Sequence, residues 1–140
     1  MKVELDSQEH GTCFLMMSNR LYLNLEGDVD EIIAGYAFAK WKNIFFDSLQ
    51  EQFNHHVVFN NKRIRMHVTT DDCIELDISK AKKIDADLII LVNIEKNIVD
   101  FVGYAKVDDI YTMENIKIDG DKKVVKITND ELIKFKEDVG

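Results

Sequence analysis

The 140-residue chain has no proline, two cysteines and six glycines. The absence of proline excludes Pro-rich linkers and cis-proline turns. Cys13 and Cys73 are too few for a disulfide framework and lack CxxC spacing, which favours a reducing compartment and core roles for both. No apolar run reaches the roughly eighteen residues of a membrane helix, and the N-terminus MKVELDSQEH is too acidic for a signal peptide. We therefore expect a cytoplasmic protein with no membrane partner.

The composition is that of a folded globular chain, with 46% hydrophobic and 31% charged residues. The length matches one ordinary domain, so residues 1–140 are predicted to form a single domain. The net charge of -8 argues against a protein that coats nucleic acid or anionic lipid nonspecifically. Residues 34–70 are the exception, because five basic residues stand there against two acidic ones. This segment is the part of the sequence with a positive surface to offer an anion.

The first part of the chain predicts a hairpin followed by a helix. Two short apolar runs, TCFLMM and RLYLNL, flank the turn pair Ser18-Asn19, which predicts a β-hairpin over about residues 12–25. From about Asp30, apolar residues recur at three- and four-residue spacing behind an acidic first turn. This pattern predicts an amphipathic helix that runs to about Glu51.

The rest of the chain is typical of strands. Apolar and polar residues alternate from Lys62 to Val68 behind the turn Asn60-Asn61, which predicts a hairpin with the strand His56–Phe59. The apolar run ADLIILVNI predicts a central strand over residues 86–94, covered on both faces. Further elements are predicted in order as a partner strand at 99–104, a hairpin at 116–127 around Asp119-Gly120-Asp121, and a short helix opened by the capping box Thr128-Glu131. The predicted class is α+β, with a mixed sheet, a long helix in the N-terminal half and a short C-terminal helix.

This order of elements, together with the passage ADLIILVNIEKNIVDFVGYAKVDDI, resembles the PD-(D/E)XK restriction-endonuclease-like superfamily, above all its small bacterial and phage members. In this passage a strand that begins with Ala-Asp is followed by a turn, a second strand and a Gly-aromatic pair. The resemblance spans about residues 28–138. It implies a restriction-endonuclease-like fold, a role in nucleic-acid metabolism or phage-host conflict, and a homodimer.

The resemblance also implies where an active site would lie. The superfamily uses an aspartate and an acid-x-lysine on two hairpin strands to hold a divalent cation, with a further acid on a helix. In this chain the hairpin positions fall on His56, Arg65 and His67, and the helix acid on Glu31. None of the three hairpin residue types matches, and an arginine repels Mg²⁺. The resemblance therefore implies a catalytically degenerate site.

Two metal-binding hypotheses remain open at this stage. An active nuclease would draw relocated Mg²⁺ ligands from Glu31, Asp71, Asp72 and His67, although an acid in a first helical turn and an Asp-Asp turn or helix start are common without any metal. Alternatively, a borderline metal such as Zn²⁺ would use histidines together with Cys73 or Asp72. The candidate histidines are His55, His56 and His67, although surface or hydrogen-bonded histidines are the commoner explanation for such residues.

A basic group with one aromatic residue is the candidate for contacts with DNA or RNA. It comprises Lys40, Lys42, Lys62, Arg63 and Arg65 beside Trp41. The alternative is a hairpin tip that charge keeps soluble. A different class of function, an acidic protein that binds and inhibits a protein partner, is favoured by the overall negative charge. Nucleophilic catalysis is not indicated, because the sequence contains no GxSxG, P-loop or GxGxxG motif.

Overall fold

The structure is a computed structural model that describes residues 1–25, 27–49, 57–78, 84–111 and 116–135. In chain order its elements are β1 (Lys2–Glu4), α1 (Ser7–Tyr22), α2 (Val29–Lys42), β2 (Val57–Phe59), β3 (Lys62–Val68), β4 (Cys73–Asp77), β5 (Leu88–Glu95), β6 (Ile98–Lys106), α3 (Val107–Ile110), β7 (Ile116–Asp119), β8 (Lys122–Thr128) and a 3₁₀ helix (Asn129–Glu131). The fold is α+β with a mixed sheet, as predicted. In the described part of the chain, no helix combines the length and apolarity that crossing a bilayer requires.

Helix α1 lies where the sequence predicted a β-hairpin, so that prediction is wrong. The helix begins with a capping box, in which the Glu9 backbone N–H donates to Asp6 Oδ1 at 2.8 Å and the Asp6 N–H donates to Glu9 Oε1 at 3.1 Å. The pair Ser18-Asn19, interpreted as a turn, lies inside the helix. Because Met and Leu are good helix formers, the short apolar runs continue a helix once the cap has started it.

Helix α2 confirms the predicted amphipathic helix but is shorter than expected. The carboxylate of Asp28 accepts the Asp30 backbone N–H at 2.9 Å and caps its start. The helix ends at Lys42 and is followed by the capping residue Asn43, whose φ of 55° is left-handed, so the predicted end near Glu51 is wrong. Apolar residues continue at helical spacing beyond Asn43, which is why the pattern suggested a longer helix. The helix packs across the sheet and contacts β1, β3, β5 and β6.

The predicted hairpin and central strand are confirmed. Strands β2 and β3 pair antiparallel around Asn60 and Asn61, with φ values of 51° and 61°. Strand β5 is central in a five-stranded sheet of the described residues, ordered β1-β6-β5-β3-β2. It pairs parallel with β3 and antiparallel with β6, and the β5–β6 turn contains Lys96 at a φ of 56°. His56 lies outside the described residues.

A three-stranded antiparallel sheet, ordered β4-β8-β7, forms the second layer of the described chain. The β7–β8 hairpin confirms the predicted turn, with Gly120 at a φ of 61°. The capping box of Thr128 and Glu131 is also confirmed, and it opens one 3₁₀ turn. Strand β4 was not predicted, since a helix start was expected after the Asp71-Asp72 turn.

The central strand β5 lies between two hydrophobic cores of the described chain. Ile90 and Val92 on β5 pack in the core under α1 and α2. Ile89 and Leu91 point the other way and pack in the core with the second sheet. Strand β5 is thus covered on both faces, as its continuous apolar sequence predicted.

Candidate nucleic-acid interface

A cavity of about 230 Å³ lies between the end of α2, the β2–β3 hairpin, β5, β6 and the C-terminal segment of the described chain. Among the described residues that line it, the charged ones are Lys42 and Lys62, and none is acidic. Its aromatic lining residues are Phe38, Phe59, Tyr104 and Phe135. We call this cavity the Lys42–Lys62 cleft.

Aromatic side chains from distant parts of the sequence build one wall of the cleft. The Phe38 ring packs edge-to-face against Phe59, with centroids 5.9 Å apart, and against Phe101 at 5.8 Å. The Phe135 ring lies 5.1 Å from the Tyr104 ring and 5.1 Å from the Trp41 ring. Because these rings hold one another at favourable aromatic distances, the wall is preorganised.

Both lysines of the cleft lie beside Phe59. The Lys42 Nζ atom is 4.0 Å from the centroid of the Trp41 ring and 5.5 Å from that of Phe59, which is cation–π geometry. Lys62 is the cross-strand partner of Phe59 in the hairpin, and its side chain is exposed. The arrangement places two cationic groups next to an aromatic surface.

Strand β3 divides the predicted basic group between its two faces. Successive side chains of a strand point to opposite faces, so Lys62 and Ile64 face the cleft that they both line. Arg63 and Arg65 accordingly lie on the opposite face. The structure therefore brings Lys42 and Lys62 together and separates them from the two arginines.

Acidic groups offset the charge of two other predicted nucleic-acid-binding residues. The Lys40 Nζ atom donates to Glu9 Oε1 at 2.9 Å, and this hydrogen bond raises the pKa of Lys40. The Arg63 guanidinium pairs with Asp85 and lies 3.6 Å from Asp87, while its backbone N–H donates to Asp87 Oδ2 at 2.8 Å. Each cation therefore adds less positive field than the sequence suggested.

Of the predicted catalytic residues, Arg65 interacts electrostatically with Glu31 and, separately, with His67. Burial, reinforced by the Asp28 charge, raises the pKa of Glu31, and Arg65 opposes that shift. Burial also lowers the pKa of His67, with Arg65 adding to the effect and Asp71 opposing it. His56, the fourth predicted residue, lies outside the described residues. In the described part of this site, the charge of Arg65 therefore acts on both of the other predicted residues.

Arg20, which was not among the predicted site residues, is 1% exposed and is the one charged residue among the buried residues of the described chain. Its guanidinium donates to the Ser48 carbonyl at 3.0 Å and interacts electrostatically with Asp47 and Glu31. The helical spacing of Arg20 from Cys13, seven residues earlier, would have placed both on one buried face. Because a buried arginine needs anionic or carbonyl partners, Glu31 has a structural role at the junction of α1 and α2.

The remaining candidate ligands do not assemble a metal site in the described residues. No group of three or more His, Cys, Asp and Glu side chains there could hold a metal ion. Asp71 and Asp72 line a separate cavity of about 600 Å³, where Asp72 accepts a hydrogen bond from Asn129 at 2.7 Å. His55 and His56 lie outside the residues that the structure describes.

Cys13 is a core residue of α1. Its side chain is fully buried in the described structure, and burial, with the nearby Glu9 charge, raises the pKa of its thiol to about 11. At neutral pH the thiol is protonated, which makes it a poor nucleophile.

Comparisons of the chain with protein-family models, with curated proteins and with solved structures found no match. The candidate interface is defined by the chain's own geometry, in which Lys42 and Lys62 border an aromatic cleft.

Proposed function

We propose that the protein is a nucleic-acid-binding module that accepts an unpaired base in the Lys42–Lys62 cleft and holds the adjoining phosphates with the two lysines. The observation that carries this proposal is the charge of the cleft. In a chain with a net charge of -8, the charged side chains that line this cavity in the described part of the structure are both cationic. A local positive site in a negative protein favours an anionic ligand at that site.

The aromatic wall supports a base as the group that enters. Stacking on an aromatic side chain contributes about 1–3 kcal/mol per base and is tolerant of sequence. A volume of about 230 Å³ is below the range of roughly 300–1,000 Å³ typical of sites for larger ligands, which suits one planar group. Bases in a duplex are stacked and paired, and freeing one costs a few kcal/mol. The preferred ligand is therefore single-stranded DNA or RNA.

The proposal includes a restriction-endonuclease-like fold whose metal site is degenerate. Its support is the position of Arg65, whose charge acts on both Glu31 and His67. A guanidinium at that place opposes the binding of Mg²⁺, because like charges repel strongly where water is partly excluded. We expect no cleavage of DNA or RNA with Mg²⁺ or Mn²⁺. Metal-dependent cutting by the parent that disappears in Glu31→Gln would overturn this part of the proposal and favour the relocated-site nuclease.

The binding proposal is tested by fluorescence anisotropy of labelled oligonucleotides at several salt concentrations. The parent is expected to bind a single strand more tightly than a duplex. Replacing Lys42 and Lys62 together by alanine should weaken binding and reduce the slope of log K against log salt by up to about 1.4, since each single-strand phosphate contact contributes about 0.7.

The matched control is the double variant Lys40→Ala with Arg63→Ala, which removes the same number of positive charges. Both residues lie outside the cleft, so this variant should change the salt slope less than the cleft variant does. Equal losses in the two variants would mean that net charge alone matters and would overturn the cleft. Absence of binding to any strand at low salt would overturn nucleic-acid binding and favour the acidic protein-binding alternative.

A further inference from the structure

The outer face of α1 carries a stripe of exposed apolar side chains. Phe14, Leu15, Leu21 and Tyr22 are 55%, 67%, 62% and 87% exposed. At about 100° per residue along a helix, these four positions fall within an arc of about 120°. We call them the α1 stripe. Large apolar side chains gathered on one exposed face indicate a surface that another molecule covers.

The α1 stripe takes no part in the two hydrophobic cores that the described residues form. Helix α1 already uses its opposite face for that purpose, where Cys13 and Arg20 are buried. A helix that is apolar on both sides is typical of one packed between two layers. The described chain supplies one of these layers through α2.

We infer that the second layer is α1 of another copy of this chain, packed antiparallel about Ser18. The stripe is symmetric around this residue. Phe14 and Leu15 precede it by four and three residues, and Leu21 and Tyr22 follow it by three and four. In a two-fold pair centred on Ser18, Phe14 of each copy meets Tyr22 of the other, and Leu15 meets Leu21. This self-complementarity is what a two-fold interface requires.

Small side chains allow the two helices to approach closely. Ser18 lies in the middle of the stripe. Gly11 lies on the same face two turns before Ser18, and no atom lies within 4 Å of the position that a Cβ would take there. Helix axes pack about 8–10 Å apart, with the shorter distances reached where contact residues are small. Large residues at the ends of the stripe and a small residue at its centre suit this geometry.

The absence of charged side chains in the α1 stripe favours a second copy of this chain, rather than an oppositely charged protein, as the partner. Between Gly11 and Tyr22 the charged residue is Arg20, and it is buried on the other face. Two chains that each carry a net charge of -8 repel, and this repulsion is weakest where the approaching surfaces are neutral. The α1 stripe is such a neutral surface. A basic partner would gain no electrostatic attraction there.

The area of the stripe is sufficient for a specific dimer of modest affinity. Two aromatic and two leucine side chains with these exposures present roughly 500 Å², since one aromatic residue can bury about 150–250 Å². Pairing two stripes would bury roughly 1,000 Å², which is near the lower limit for a specific interface. The dimer should therefore dissociate on dilution. This surface is separate from the Lys42–Lys62 cleft and its test does not depend on nucleic acid.

Sedimentation velocity of the full-length chain over a wide concentration range tests the dimer. The parent should change from monomer to dimer as concentration rises, and Leu15→Glu should remain monomeric at every concentration. The matched control is Phe45→Glu, which introduces the same charge at a residue that is 88% exposed outside α1. It should dimerise as the parent does. A parent that stays monomeric, or a dimer that Leu15→Glu and Phe45→Glu weaken equally, would overturn the inference.

A cross-link tests the antiparallel register separately. In a Cys73→Ser background, Ser18→Cys should form a disulfide-linked dimer under mild oxidation, because the two copies of residue 18 face each other across the two-fold axis. Thr12→Cys, an exposed position of α1 outside the stripe, serves as the control and should remain monomeric. Equal cross-linking of both variants, or none with Ser18→Cys, would contradict this register.

Discussion

The ammonium group of Lys42 lies over the ring of Trp41, with Nζ 4.0 Å from the ring centroid. The Trp41 ring in turn stacks on Phe101, with centroids 5.3 Å apart and planes 24° from parallel. Phe101 is fully buried in the core under α1 and α2. The position of the lysine at the cleft is thus tied to the core through two aromatic rings, which restricts the freedom that a surface lysine usually has.

Removing the aromatic face beneath Lys42 should weaken nucleic-acid binding. Trp41→Phe keeps a ring under the ammonium group and should retain most of the affinity. Trp41→Leu removes the ring. The loss of a cation–π contribution of about 0.5–1 kcal/mol corresponds to a dissociation constant that is roughly two- to fivefold higher. Oligonucleotide titrations of the two variants, each checked for native circular dichroism, measure this difference. Equal affinities would show that Trp41 does not position Lys42.

The turn of the β2–β3 hairpin should control stability and binding together. Asn61 has a φ of 61°, a conformation that glycine adopts freely and a β-branched residue strongly resists. Asn61→Gly should leave the free energy of unfolding unchanged or higher, whereas Asn61→Val should lower it by roughly 1–2 kcal/mol. Because Phe59 and Lys62 flank this turn, the valine variant should also bind more weakly. Urea unfolding that gives the same midpoint for both variants would disprove the turn's role.

A methyl group at Gly103 should destabilise the packing of the C-terminal segment on β6. A Cβ there would lie 2.9 Å from Leu132 Cβ and 3.0 Å from the Ile133 carbonyl oxygen. Neither atom moves away by a rotamer change, so Gly103→Ala should cost about 1–3 kcal/mol of unfolding free energy. The control with the opposite expected effect is Gly11→Ala, at an exposed position of α1 with open space around it. This variant should raise the free energy of unfolding by about 0.5–1 kcal/mol. Unfolding curves at low protein concentration compare them, and a neutral Gly103→Ala would refute the close packing.

His67 should make the protein less stable in mild acid. Burial lowers its pKa in the folded protein, so between that pKa and its ordinary value of about 6.5 the unfolded chain binds more protons than the folded one. The free energy of unfolding therefore rises with pH up to about 6.5 and falls as pH drops below it. His67→Gln should remove this part of the pH dependence. Urea midpoints from pH 5 to 8 measure it, and identical pH slopes in parent and variant would contradict the assignment.

Local sequence signals predicted the elements whose structure is local. The Asn60-Asn61 and Asp119-Gly120-Asp121 turns placed two hairpins, and the unbroken apolar run placed β5. Strand β4 was not predicted because it is only five residues long and its position depends on pairing with β8, where Ile74 is the cross-strand partner of Ile127. Helix α1 was mistaken for a hairpin because its apolar residues are split between a buried face and the exposed α1 stripe, which obscures a single helical periodicity.

The candidate site was only partly predictable for the same reason. Its lysines stand out in the charge distribution, so Lys42 and Lys62 were identified from the sequence. The aromatic wall combines Phe38 of α2, Tyr104 of β6 and Phe135 near the end of the described chain, and no local pattern connects them. The acidic partners of Lys40 and Arg63 are likewise at least 22 residues away in sequence, so the weakening of the positive field at those two residues could not be foreseen.

The most direct test of nucleic-acid binding in the cleft uses the fluorescence of Trp41, the single tryptophan of the chain. Its ring neighbours three cleft residues, Phe38, Lys42 and Phe135. Titration with a single-stranded oligonucleotide should change this fluorescence with the same dissociation constant that the anisotropy of the labelled strand gives. Both signals should weaken together when Lys42 and Lys62 are replaced by alanine. A strand that binds by anisotropy while Trp41 fluorescence stays constant, or one that does not bind at all, would contradict the account.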